Sequence, residues 1–87
     1  MLTQQLKRVD DEILILLKRR MQTYKKIGDM LRKENKSKKD SEEISNEVFE
    51  HVISRAKEMG MSCSVIDEMF SKIDEECMKE LDKAINK

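Results

Sequence analysis

An all-helical fold is what this sequence predicts, on three observations. Proline is absent and glycine occurs only twice among 87 residues. The chain is instead rich in Leu, Ile, Met, Lys and Glu, which are good helix formers, so almost nothing breaks a helix from within. Apolar residues recur at steps of three and four, at Leu2, Leu6, Val9, Ile13 and Leu16 and again at Ile27 and Met30, the period of one helical face. Neither strand alternation nor an internal repeat is present.

The first helix is expected over residues 2–34. Beside its first stripe runs a second, Leu14, Leu17, Met21, Tyr24, Gly28 and Leu31, so the helix is apolar over a wide arc. The stretch KENKSKKD, residues 33–40, contains no apolar residue and reads as a solvated loop or a fraying helix end. Asp40 or Ser41 then caps a second helix over 41–59, with Glu43 three residues beyond Asp40 in capping-box position. Its buried face is Ile44, Val48, Val52, Ala56 and Met59, with Phe49 and Ile53 beside it, and Gly60 supplies a left-handed C-cap. Ser62 or Ser64 starts the third helix, 63–85, whose face is Ile66, Met69 or Phe70, Ile73, Cys77, Leu81 and Ala84. The whole chain, 1–87, forms one domain.

Length then imposes a partner. A helix of about 33 residues is roughly 50 Å long, whereas a compact chain of this size has a radius of gyration of about 12 Å. Two shorter helices cannot bury both stripes along that length. A second copy of the chain, with long helices side by side, is the simplest cover, and a different protein is the competing one.

Composition narrows the function classes. Eighteen bases balance 18 acids, and Phe, Tyr and Trp together number three. The chain therefore lacks both the net field and the stacking rings expected of a nucleic-acid binder, and the field expected of a membrane-surface binder. No stretch approaches the ~20 apolar residues of a membrane span, and the N-terminus lacks a signal-peptide pattern. A cytoplasmic protein is expected. Cys63 and Cys77 lack the spacing and companions of a zinc site and read as free, unreactive thiols. His51, the one histidine, has no nucleophile to serve and reads as structural. Asp74, Glu75 and Glu76 read as a solvated acidic face and not as a metal site, because the companion ligands are missing. No metal or cofactor is expected.

One residue breaks the pattern. The first stripe passes from Leu16 to position 20, which is Arg20, and to position 23, which is Thr23, before returning to Ile27. A guanidinium on a buried seam costs several kcal/mol, on the order of a buried unpaired ion, unless it finds acceptors. Either a buried ion pair or an arginine reaching the edge satisfies it, or Arg20 belongs to an anion-binding pocket inside a helical bundle.

The segment LTQQLKRVDDEILILLKRR, followed by YKKIGDMLRKEN, a short loop, an Asp and two further helices, resembles the all-helical class of chorismate mutase. Leu2, Leu6, Val9, Asp10, Ile13, Leu14, Leu16, Leu17, Arg20, Ile27 and Gly28 fall in register with the first-helix pattern of that class. The resemblance implies an intertwined homodimer of three-helix chains, with each active site built from both subunits. It also implies the rearrangement of chorismate to prephenate, an intramolecular step that needs no nucleophile, metal or cofactor. Such a site works by cations that clamp the two carboxylates of a small dicarboxylate in a compact conformer, and by a donor to the ether oxygen.

Carried over position by position, Arg20 matches a catalytic, substrate-binding arginine, and Asp40 agrees with the aspartate before the second helix. Thr3 stands where the class has an arginine reaching across the dimer, and Leu31 where it has a lysine. Ile44 or Ser45 takes an acidic position, Cys77 a serine position in the substrate site, and Leu81 a glutamine position. Lys7, one turn after Thr3, Arg32, next to Leu31, and Glu80, next to Leu81, are the candidate substitutes. Each lost transition-state donor costs ~3 kcal/mol, about 100-fold or more in rate. Two expectations follow: a divergent mutase with its roles relocated, or a catalytically silent dimer of the same fold acting as a binding or regulatory module.

Overall fold

The computed structural model describes residues 1–87, apart from the side chain of Lys38. Three helices follow one another, α1 over Leu2–Lys33, α2 over Lys38–Glu58 and α3 over Cys63–Ile85, and the all-helical expectation is met. None of them is long and apolar enough to cross a membrane. Along α1, Leu17, Arg20, Gly28 and Arg32 meet in turn Ile73, Cys77, Leu81 and Ala84 of α3. The two helices therefore run parallel, and α2 returns between their ends, packed mainly on α3.

Each end has a physical reason. Asn35 takes the left-handed conformation at φ 57°. Its N–H donates to Arg32 O at 3.2 Å and that of Lys36 to Leu31 O at 2.8 Å, which closes α1 in a Schellman turn. Gly60, at φ 71°, ends α2 in the same way, with Gly60 N–H donating to Lys57 O and Met61 N–H to Ala56 O. Ser62 caps α3, its hydroxyl accepting from Val65 N–H at 3.4 Å.

The start of α2 corrects the sequence reading. It lies at Lys38 and not at 41, because Ser37 is the cap and Asp40 the third helical residue. Asp40 Oδ2 accepts from Ser37 N–H at 2.8 Å and from Ser37 Oγ at 3.0 Å, in a capping box one turn earlier than Asp40 and Glu43 would make. Met59 departs from expectation too. It stands 64% exposed, since α2 is already turning at its C-cap there.

The core is lopsided. Tyr24, Leu31, Cys77 and Leu81 form its buried centre, with Met21, Ile27, Ile44, Ile73, Met78 and Ile85 packed around them. Every α1 contribution comes from the second half of that helix. In the first half, Leu2 is 81%, Leu6 61%, Val9 49% and Ile13 48% exposed. The molecule measures 51 × 25 × 16 Å with a radius of gyration of 15.1 Å, well above the ~12 Å of a compact chain, because α1 alone spans its long axis.

Gly28 sets how close α1 and α3 come. A Cβ there would lie 2.5 Å from Leu81 O and 2.8 Å from Ala84 Cβ, so any side chain must push the helices apart. Gly60 has open space around it and needs glycine only for its positive φ. Gly28→Ala is therefore expected to lower stability by about 1–3 kcal/mol through overpacking, and Gly60→Ala by about 1 kcal/mol through its left-handed φ. Urea denaturation of both variants tests the order, and a Gly60→Ala loss exceeding that of Gly28→Ala would contradict the close approach.

Candidate functional site

Arg20 lies where the three helices converge. Its helical position aims it at α3, where Asp74 and Cys77, three residues apart on one face, receive it. Arg20 Nη2 stands 2.7 Å from Asp74 Oδ1, an ion pair whose side chains are 18% and 13% exposed. The two atoms close as charges without the alignment of a hydrogen bond. Nη1 donates to Cys77 Sγ at 3.1 Å. The guanidinium also lies over the ring of Tyr24, 5.1 Å from its centroid, and over that of Phe70 at 5.4 Å, within the range of cation–π attraction.

The electrostatics follow from that enclosure. Burial works to lower the Arg20 pKa, and the Asp74 carboxylate outweighs it, so the group is held above its ordinary value and stays charged. Burial pushes the Cys77 thiol up, against the pull of Arg20, so it is a neutral thiol. Tyr24 is raised as well, by burial first and the Asp74 charge second, with Ser45 tempering the rise. Tyr24 Oη makes no aligned hydrogen bond.

The neighbours of this cluster are apolar. Leu31 is 3% exposed, and Leu81 and Cys77 are fully buried, so the positions that the resemblance assigns to a lysine, a glutamine and a serine pack against one another as core. Ile44 joins that packing, while Ser45 lines a cleft between α2 and α3 of about 610 Å³ together with Phe49, Ser71 and Asp74. Arg20 lines a different, smaller cleft of about 320 Å³, with Arg19, Thr23, Tyr24 and Val48.

The structure thus joins Arg20 and Cys77 and places the other candidates elsewhere. Lys7 and Thr3 are exposed on the first half of α1. Arg32 donates from Nε to Ala84 O at 3.2 Å and faces Asp29 at 3.6 Å, satisfying a carbonyl in the last turn of α3. Glu80 faces Lys83 at 3.7 Å. Asp40 is engaged by Ser37, whose backbone N–H and hydroxyl hold its carboxyl below the usual aspartate range. That contact is complete above the ordinary aspartate pKa and is lost only as pH falls through the lowered value. His51 is exposed.

Asp74 is the residue that sequence reasoning missed. Read as part of a solvated acidic run, it is 9% exposed, whereas Glu75 and Glu76 do face solvent. The signal was present in the spacing, since Phe70, Asp74, Cys77, Leu81 and Ala84 form one four-three series on α3. An acid on that series and a base on the facing series are each other's natural partner.

Both cysteines are free, Cys63 half-buried and Cys77 buried. A thiol reagent is expected to modify Cys63 in the folded protein and Cys77 only after denaturation. Equal rates under native conditions would contradict the enclosure of Cys77.

Residues 2–81 match the family described as chorismate mutase type II. No curated protein and no solved structure gives a significant match.

Proposed function

The chain belongs to the chorismate mutase type II family, and from that premise we propose that it is a homodimeric, catalytically silent member, serving in the cytoplasm as a binding or regulatory module. The single observation that carries this reading is the 2.7 Å contact between Arg20 and Asp74. An arginine that clamps a substrate carboxylate must offer a free guanidinium, and this one already faces a carboxylate of its own chain.

The rest of the site agrees with that reading. Clamping two carboxylates and stabilising charge on an ether oxygen require several convergent donors. Around Arg20 the chain instead offers Leu31, Leu81, Cys77 and Tyr24, packed as core. Arg32 is bound to the end of α3. Lys7 is exposed on the uncovered half of α1, away from Arg20. A mutase that relocated its roles would need Lys7 to replace more than one group.

Support for the homodimer comes from α1. Leu2, Leu6, Val9, Ile13 and Leu16 are about half to four-fifths exposed, and burying a Leu, Ile or Val side chain in full contributes ~1.5–3 kcal/mol. Such a stripe on an isolated chain is an aggregation hazard. Against the same stripe of a second copy it becomes a helical seam, self-complementary as a two-fold interface requires.

Two measurements test these parts separately. Loss of chorismate absorbance at high protein concentration is expected not to exceed that of the Arg20→Ala variant, and turnover that disappears in the variant would overturn the silent reading. Sedimentation equilibrium is expected to give a dimer, with Leu6→Lys combined with Ile13→Lys shifting it to monomer and reducing helix content. A wild-type monomer with full helicity would overturn the dimer.

A further inference from the structure

We propose that Asp74 acts as an internal ligand of Arg20, standing where an external carboxylate would stand, so that its removal converts the cleft between α2 and α3 into a receptor for a small carboxylate-bearing molecule. This rests on the reading of the wild-type site as closed, and it names the residue that closes it.

Arg20 and Asp74 line different clefts and meet between them. Asp74 belongs to the larger one, of about 610 Å³, with Ser45, Phe49, Ser71, Glu75 and Lys79, while Arg20 belongs to the cleft on the α1 side. Asp74, on the larger cleft, stands 2.7 Å from Arg20, on the smaller. Removing the Asp74 carboxylate would open the guanidinium behind it to the larger cleft, whose apolar part is Phe49 and Met78 and whose hydroxyls are Ser45 and Ser71. Glu75 and Lys79, the two other charged groups on that cleft, are exposed and opposite in sign, so they leave its net field near zero.

Asp74 is not the only group that holds Arg20. The rings of Tyr24 and Phe70 flank the guanidinium at 5.1 and 5.4 Å, and Cys77 Sγ accepts from Nη1 at 3.1 Å. A charge held in place by contacts other than its counter-ion is preorganised for a replacement counter-ion. Removing one partner of such a pair leaves an uncompensated charge, which is what an incoming carboxylate would relieve.

The test uses the full chain and succinate as probe. Isothermal titration is expected to show Asp74→Ala binding succinate at least about tenfold more tightly than wild type, with the gain abolished by adding Arg20→Gln. No gain, or a gain that survives Arg20→Gln, would overturn the proposal. Should Asp74→Ala fail to fold, Asp74→Asn keeps an acceptor for the guanidinium while removing the charge, and the same two criteria decide. Because no turnover is measured, this result is distinct from the chorismate assay: wild-type turnover sinks the silent reading, and the titration decides the role of Asp74.

Discussion

The ion pair between Arg20 and Asp74 is the interaction on which the rest of this structure turns. A guanidinium on the seam between two helices is costly without a counter-ion, and the face of α1 around it offers the ring of Tyr24 but no carboxylate. Asp74 must therefore come from α3, in the register at which Gly28 lies against Leu81 and Ala84. Charge and close backbone approach specify the same alignment of α1 on α3. The aromatic rings of Tyr24 and Phe70 and the buried thiol of Cys77 then enclose the pair, and the apolar side chains of Leu31 and Leu81 fill what is left. The charge of Arg20 is thus met within one chain, by Asp74.

Family membership and the state of the site carry different information. The helical pattern of α1, its length and its glycine at position 28 specify a chorismate mutase-like frame, and they do so through packing. The chemistry would have to come from polar residues projecting into that frame, and here several of those positions are occupied by core side chains. Frame and chemistry are separable because the frame is stabilised by the apolar stripes, which cover most of the chain, while the site depends on a few positions along them. The first half of α1 belongs to the frame, and its exposed leucines lie apart from the site.

Much of the fold was legible in the sequence because it rests on periodicity and on glycine. The spacing of Leu17, Met21, Tyr24, Gly28 and Leu31 marks the seam with α3, and Gly60 marks the end of α2. The start of α2 was misread because Ser37 and Asp40 and also Asp40 and Glu43 satisfy the capping pattern, and local sequence does not rank them. Arg20 was visible as an anomaly, since one charge on an apolar stripe breaks a pattern. Asp74 was not, since an acid followed by Glu75 and Glu76 looks like a polar surface, and its inward direction is set by a register between helices that no local window contains. Met59 failed for a similar reason, the helical series having been extended one residue into the turn.

A double-mutant cycle on stability tests the central claim, that Arg20 is neutralised within its own chain by Asp74, most directly. Denaturant unfolding would compare wild type, Arg20→Met, Asp74→Leu and the double variant. Removing one partner of an enclosed pair typically costs ~3–5 kcal/mol, whereas replacing both by apolar groups is often neutral or stabilising. The expected result is that each single variant is destabilised and the double variant recovers most of the loss. Two single losses that simply add would show the residues to be energetically independent, and the account of a closed site would fall.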